Sequence, residues 1–271
     1  MIKIKKIIHT ILSRLKDKYK GEISKDFRHN VEIYKDGCLA INLSIPESSV
    51  RIRIDIGLSH NAPNSMKWLE ENPDVVVIGI EANKYNIEEL LLKSERRAEK
   101  KINNIKERFK LLYCAIDDTK IPKYANFYHV TGDSGTSSLL TPTEELLKKN
   151  LYKIKEISEI PVVSLSDILN IINWTKINYI EVCKVDTQGK DLDVILSAKE
   201  YLGKIAVVIA EVNTWGQYEG AADASNITRH MTENGFSIHK YIYAQNGDPS
   251  DIIYVNKKLA KEARSFLSEL D

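Results

Sequence analysis

Between Arg51 and Asn83 the apolar positions change period twice. Ile52, Ile54 and Ile56 are β-branched, alternate with polar residues and stop beside Gly57, which suits a strand that ends abruptly. Pro63 opens the next segment, which carries Trp68 and Leu69, and proline is favoured in a helix's first turn. Residues 75–80 are an almost unbroken apolar run, as a parallel strand covered on both faces requires. The stretch therefore predicts a βαβ unit. Its first loop lies beyond the strands' carboxyl ends, where such sheets bind ligands.

The same alternation continues on both sides. Residues 27–45 read as two short strands around Lys35-Asp36-Gly37, a hairpin with an Asp-Gly turn that covers one edge of the main sheet. Residues 84–108 are charged and helical in pattern, 109–116 form a third strand ending at Asp117-Asp118, and 125–130 a further short one. Residues 131–138 are a small polar loop, either a connection or a lid that carries contacts. A helix follows over 142–150 with Thr141 as N-cap, then a strand at 157–163 and a short helix at 166–172. Residues 179–185 are strongly strand-like and lead through Asp186-Thr-Gln-Gly-Lys190 into a helix reaching about Tyr201. Strand 205–212, helix 226–234 and strands 236–243 and 252–255 complete the pattern. The last two are joined by a turn-rich loop without a helix, so they should be antiparallel. The fold class is α/β and Rossmann-like: a mostly parallel seven-stranded sheet with a terminal antiparallel hairpin, plus an N-terminal helix and β-hairpin.

Residues 1–20 stand apart. Ile4, Ile7, Ile8, Ile11, Leu12 and Leu15 recur at helical spacing among seven lysines and arginines, with Asp17 the one acid. Such a basic amphipathic helix either makes peripheral contact with an anionic membrane surface or packs its apolar stripe on the domain or on a second copy in a homo-oligomer. Length then sets the organisation: 271 residues suit residues 1–48 as an extension and 49–271 as one α/β domain. Positive and negative side chains nearly cancel, 39 against 38, which gives no reason to expect a nucleic-acid partner. Cys38, Cys114 and Cys183 show no zinc spacing, and the last two lie in strand-like runs that suit buried thiols. No metal site is expected. No stretch is long and apolar enough to cross a bilayer, and no signal peptide is evident, so a cytoplasmic location is expected.

Two acids suggest what the βαβ loop holds. Asp55 ends the first strand and Glu81 the second, where an acid can accept ribose hydroxyl hydrogens. A dinucleotide pyrophosphate usually needs G-x-G-x-x-G, but this loop has Gly57 followed by Leu58, Ser59 and His60. A nucleoside without phosphates fits better, and S-adenosylmethionine is the common one. Its ribose would meet Glu81, its methionyl end Asp55, Gly57 and Ser59, and its adenine the neighbourhood of Asp117 and Asp118. The plain alternative is that Asp55 and Glu81 cap helices or end strands.

The runs Ile54-Asp-Ile-Gly57, Gly79-Ile-Glu-Ala-Asn83, Ala115-Ile-Asp-Asp118, Gly135-Thr-Ser-Ser-Leu139, Val163-Ser-Leu-Ser-Asp167 and Lys184-Val-Asp-Thr-Gln-Gly189 come in an order that resembles the FkbM family of class I methyltransferases, over about residues 50–256. The resemblance implies S-adenosylmethionine-dependent methylation, most often at oxygen, of a sugar, glycan or small natural product. It implies cofactor contacts from Asp55, Gly57, Ser59, Glu81, Ala82, Asn83, Ala115, Ile116 and Asp117. The chain departs from the family pattern twice. Gly57-Leu-Ser stands where the family has Gly-Ala-Asn, and Gln188 stands where Asp-x-Glu-Gly has its second acid.

A hydroxyl acceptor must lose its proton, and Asp186 at the tip of the central strand is the first catalytic candidate, with a helix N-cap as its structural alternative. His60 is the second candidate, as a base or as a donor to a loop carbonyl; His129 is a third. Glu211 and Asn213, near the next strand's tip, suit acceptor hydroxyls, while Trp215 and Tyr218 either stack on a sugar or anchor the loop. A nicotinamide-linked oxidoreductase would use the same βαβ unit, and a non-catalytic nucleoside-binding module would tolerate Gln188.

Overall fold

Unbroken β-branched runs become the centre of the molecule, because a strand buried on both faces has no polar side to show. The computed structural model describes residues 30–35, 37–46, 48, 51–91, 102, 104–212, 216–244 and 247–270. The predicted helix over residues 1–20 lies outside them. In chain order the elements are β1 (Val31–Ile33), β2 (Leu39–Ile41), β3 (Arg51–Ile56), α1 (Pro63–Glu71), β4 (Val75–Glu81), α2 (84–91), α3 (Ile105–Arg108), β5 (Phe109–Tyr113), β6 (Ala115–Ile116), β7 (Lys123–Val130), α4 (Glu144–Asn150), β8 (Ile154–Val163), α5 (Leu165–Leu169), β9 (Ile180–Val185), α6 (Asp191–Leu196), β10 (Ile205–Glu211), α7 (Ala224–Glu233), β11 (Phe236–Tyr243), β12 (Pro249–Asn256) and α8 (Ala260–Leu267).

The main sheet has the order β11-β12-β10-β9-β3-β4-β5. Neighbours from β10 to β5 are parallel, and β12 runs antiparallel to both β10 and β11. This is the expected mostly parallel seven-stranded sheet with its terminal antiparallel pair, in the class I methyltransferase arrangement. The chain builds outward from β3 through β4 to β5, then returns to build β9 and β10 on the other side. The topological switch point therefore falls between β3 and β9. One face buries Ile54, Ile56, Ile78, Cys183 and Val208 beneath Ile168, Val194 and Ile227; the other buries Val77, Val182 and Val207 beneath Trp68 and Phe266. No helix among the described residues is long and apolar enough to cross a membrane.

Several expectations need correction. The predicted strand 109–116 breaks at Cys114: residues 109–113 stay in the main sheet, while Ala115 pairs with Val162 in a second sheet of order β6-β8-β7. The strands β7 and β8 lie antiparallel in that second sheet. The cap of α4 is Thr143, whose hydroxyl accepts from Leu146 N, rather than Thr141. The β1–β2 hairpin does form, and the residue before it closes the sheet edge as expected: Asn30 Nδ2 donates to Leu111 O at 2.6 Å and Asn30 Oδ1 accepts from Tyr113 N at 3.0 Å. Those contacts occupy backbone groups of an edge strand that would otherwise lack partners.

The Arg-Ile-Arg-Ile pattern of β3 turns out to place charge inside. Arg53 is fully buried; its Nε donates to Glu181 Oε2 at 2.8 Å and its two Nη groups form a fork on Glu269 at 2.8 and 2.7 Å. Its guanidinium also lies 4.9 Å from the Phe266 ring centre and 5.7 Å from that of Trp68. Glu181 serves Arg51 as well. The network fastens the end of the chain beyond α8 onto the sheet. Removing one partner from a buried ion pair leaves an uncompensated charge, at about 3–5 kcal/mol. Glu181→Ala leaves Arg53 its fork on Glu269 and Arg51 its Asp74, so it should lower unfolding free energy by no more than that amount in urea titration. Glu269→Ala should cost less, because Glu269 is the more exposed acid and Arg53 keeps Glu181.

Candidate functional site

At the switch point β3 ends against β9. Gly57 adopts φ +83°, and a side-chain carbon placed on it would stand 1.7 Å from the carbonyl oxygen of Asp186. Only glycine allows both the left-handed turn and that approach. Gly57 N donates to Ile80 O at 2.9 Å, and Asp186 N to Ile56 O at 3.0 Å, so the ends of three strands are pinned together. Above them opens a cavity of about 380 Å³. Its near end, on the β4 side, has Glu81, Ala82 and Asn86; Gly57 and Ser59, beyond β3, stand in the middle. Cys114, Ala115 and Ile116 also line it, and its far end, on the β9 and β10 side, has Asp186, Gln188 and Glu211. Residues 133–137 of the polar loop after β7 cover it. That loop carries contacts, as one reading of the sequence had it: Ser134 O and Ser137 Oγ each accept from Asn83 Nδ2 at 3.1 Å.

The predicted residues divide into those that face the cavity and those that hold it. Gly57, Ser59, Glu81, Ala82, Ala115, Ile116, Asp186 and Glu211 line it. Asp55 does not. It is buried beneath α1, where Oδ2 accepts from Ser65 N at 3.1 Å and Ser65 Oγ at 2.6 Å. The residue in the N-cap position, Ala62, offers no side-chain acceptor, so Asp55 does that work from the neighbouring strand. Its other oxygen has no hydrogen-bond partner among the described residues. Asn83 also works from behind: its N donates to Glu81 Oε1 at 2.7 Å, and its Nδ2 reaches Ser134 O and Ser137 Oγ, each at 3.1 Å. Asp117 is engaged by Lys190 at 2.7 Å.

Neither histidine reaches the cavity. His60 lies beside Ser59, 3.3 Å from its hydroxyl to Nδ1. His129 is buried; Nδ1 contacts Asn83 Oδ1 and Nε2 contacts Ser158 Oγ, and burial pushes it down to about 4. Asn83 Oδ1 already accepts from Tyr85 N, which assigns the proton of neutral His129 to Nδ1. Tyr218 cannot stack on a ligand face. It is buried, with its hydroxyl 2.8 Å from Thr136 O and 2.9 Å from Gln188 Oε1, a bolt between the covering loop and β9's tip. Asn213 and Trp215 lie outside the described residues. Cys114 and Cys183 are buried free thiols that burial raises to about 12, too high to react readily.

Sequence reasoning missed the organisation of the far end. Asp186 is not a helix cap: the loop amides of Thr187 and Gly189 go instead to Asp191, at 2.8 and 3.1 Å. Asp186 Oδ2 accepts from Lys184 Nζ at 2.7 Å, and Oδ1 from Gln188 Nε2 at 3.0 Å. The Gln188 amide also lies 2.9 and 2.8 Å from the two oxygens of Glu211. Gln188 is held in a left-handed conformation, φ +57°, and its carbonyl accepts from Ser138 Oγ at 2.8 Å. Burial works against charge on both acids. For Asp186 the Lys184 ammonium and the Gln188 amide outweigh it and hold the carboxyl below its ordinary range. Glu211 has no such cation of its own; burial and the charges of Asp186 and Asp191 push it well above the carboxylate range. Of the two acids, Glu211 is therefore the one whose environment favours a proton, and Asp186 the one held towards its charged form. The other omission is Asn86, in the first turn of α2 and five residues beyond Glu81, a spacing that points back at the strand tip. Among the described residues no three His, Cys, Asp or Glu side chains are grouped to hold a metal ion.

Comparison with solved structures gives distant likenesses. The methyltransferase FkbM from Methylobacillus flagellatus is 14% identical, with 85% of this chain and 50% of that one covered and a TM-score of 0.48. Fibrillarin from Aeropyrum pernix, solved with natively bound S-adenosyl-L-methionine, is 12% identical, with 79% and 70% covered and a TM-score of 0.39. This chain therefore spans half the length of the first of them. No curated protein sequence gives a match. The sequence itself matches the family described as methyltransferase FkbM domain over residues 55–238, about two-thirds of the chain. The match runs from the acid that ends β3 into β11 and takes in every described wall of the cavity, so this chain belongs to the FkbM methyltransferase family.

Proposed function

We propose that the cavity binds S-adenosylmethionine and that the enzyme methylates a hydroxyl oxygen of a sugar, glycan or small natural product. The observation that carries this reading is one cavity with a buried acid, Glu81, at its near end and two acids bridged by the Gln188 amide, Asp186 and Glu211, at its far end. The residues present fit a nucleoside better than a dinucleotide. Among the described lining residues the one cation is Lys190, and its Nζ is already engaged by Asp117 at 2.7 Å and Asp193 at 2.6 Å. A pyrophosphate would find no free positive partner there, which speaks against the nicotinamide alternative.

The bound cofactor would supply an activated methyl group. The protein's own part is position and proton handling. In-line displacement depends mainly on holding the acceptor oxygen against the methyl carbon. Glu81 would fix the nucleoside end, Gly57 and Ser59 would lie beside the methionyl end, and the loop 133–137 would exclude water. Asp186, ionised and at the switch point, is the group to orient the acceptor hydroxyl and take its proton. Lys184 balances the charge of Asp186, and Glu211 beside it is the acid whose environment favours a proton. The first experiment is a melting-temperature series with S-adenosylmethionine, S-adenosylhomocysteine and NAD. Binding to the folded state raises stability by mass action, so the first two should raise the midpoint and NAD should not. A shift with NAD alone would overturn the reading. A screen of sugar, glycan and small hydroxyl acceptors with methyl-labelled cofactor then finds the substrate.

Burial lifts Glu81 to about 7, against hydrogen bonds from Asn83, Asn86, Ser59 and Ala82. A ribose hydroxyl donates more strongly to the ionised carboxylate than to the protonated acid. Affinity for S-adenosylhomocysteine should therefore be full above pH 7 and weaken as pH falls through 7, levelling off once Glu81 is protonated. In Glu81→Gln that pH dependence should vanish, and affinity at pH 8 should drop by about 1–3 kcal/mol. Calorimetry from pH 5.5 to 8.5 on both proteins checks the two points together.

Asp186→Asn keeps the shape and removes the basic oxygen. Turnover of the identified acceptor should drop by about 10²–10⁴-fold. Affinity for S-adenosylhomocysteine should change little, because Asp186 lies at the far end from Glu81. A variant that turns over at the wild-type rate would make Asp186 a purely structural residue.

A further inference from the structure

Asn86 sits in the wall of the cavity with an amide oxygen that has nothing to bond. The residue is 2% exposed, and its Oδ1 has no hydrogen-bond partner among the described residues. Its side chain hydrogen-bonds Glu81, and because a carboxylate can only accept, the amide nitrogen is the group that faces Glu81. The oxygen is then the free end. A buried carbonyl without a donor is costly to leave unpaired, so the arrangement is unfavourable until a donor arrives.

Glu81 has little room left. Asn83 N donates to it at 2.7 Å, and the backbone of Ser59 and Ala82 and the Asn86 side chain also interact with it, so most of its acceptor capacity is engaged. It is poorly placed to take two further hydrogens from a ribose diol, as a strand-tip acid was expected to do. The adjacent Asn86 Oδ1 can accept two. We propose that Asn86 is a nucleoside-binding residue that shares the ribose with Glu81, one hydroxyl donating to the carboxylate and the other to Asn86 Oδ1. The inference rests on the nucleoside reading of the cavity and adds to it a residue and a division of labour. The donor class is a vicinal diol: adenine's amino group and the methionyl ammonium belong to parts of the ligand away from the acid that marks the ribose.

The test is calorimetry of S-adenosylhomocysteine and its 2′-deoxy and 3′-deoxy analogues with the wild-type chain, Asn86→Leu and Asn86→Ser, each variant checked for folding by its melting curve. Leucine matches the size of asparagine without its polar atoms; the smaller serine serves if leucine does not fold. The wild-type chain should lose about 10- to 100-fold in affinity on removal of the hydroxyl that Asn86 holds. Asn86→Leu should weaken S-adenosylhomocysteine by a similar factor yet bind that one deoxy analogue as the wild type does, while still discriminating against the other. An equal penalty for all three ligands would reduce Asn86 to a prop for Glu81 and overturn the proposal, as would no penalty at all. Failure of S-adenosylhomocysteine to bind the wild-type chain is a separate outcome: it removes the nucleoside reading itself and the inference with it.

Discussion

The site depends on one contact, the approach of Gly57 to the carbonyl of Asp186. Parallel strands release their chains at the same end, and at a switch point the two leaving loops diverge to opposite faces. What remains between them is a crevice, whose width is set by how closely the strand ends meet. Here they meet as closely as backbone allows, with no space for even one side-chain carbon. The hydrogen bonds from Gly57 to Ile80 and from Asp186 to Ile56 extend the same constraint across β4, β3 and β9. Ser59, Glu81 and Asp186 therefore arrive in one cavity because their strands cannot be moved apart independently.

Around that contact, buried acids fall into two kinds. Asp55 and Asp191 organise backbone: the first receives Ser65 at the start of α1, the second the amides of Thr187 and Gly189. Each gathers donors that would otherwise be lost at a helix start or in a tight loop. Glu81, Asp186 and Glu211 keep an aspect towards the cavity. Their protonation differs with their company. Asp186 has a lysine and is held below the ordinary carboxylate range, Glu211 lacks one of its own and is pushed well above it, and Glu81, met by amides alone, is lifted to about 7. The same side-chain chemistry thus does three jobs, separated by what each carboxyl can gather in a medium that penalises charge.

Much of this was legible in the chain, and the reasons are local. The strand ending at Gly57, the acid at the tip of the 75–81 run and the antiparallel final pair each follow from a few consecutive residues. The role of Asp55 was misread although the parity was available. It alternates with Ile54 and Ile56 and shares its side of the strand with Arg53, hence the face that α1 covers. The second sheet was missed for a similar reason. Residues 154–159 mix exposed isoleucines with charges, unlike the unbroken runs of β4, β9 and β10, and so mark a strand with one open face. Its pairing with 123–130 spans a loop and a helix, and no local pattern reports that. The Gln188 network was beyond reach altogether, because it joins side chains from β9, β10 and the loop before α7.

That network gives the departure from the family pattern a physical meaning. With an acid at position 188, three carboxyl groups would face one another in a buried space, and the charge would have to be met by protons or by a cation from outside. An amide is neutral and brings two N–H donors of its own. Gln188 places them between Asp186 and Glu211, and passes its carbonyl end to Tyr218. Its left-handed backbone is strained for a residue with a side chain, at a cost of order 1–3 kcal/mol. Ser138 and Tyr218 hold it there from the covering loop and from the segment after β10. The amide therefore does two things that a carboxylate at the same place could not do unaided. It lets two acids come together around neutral N–H donors, and it ties their positions to the loop that closes over the cavity.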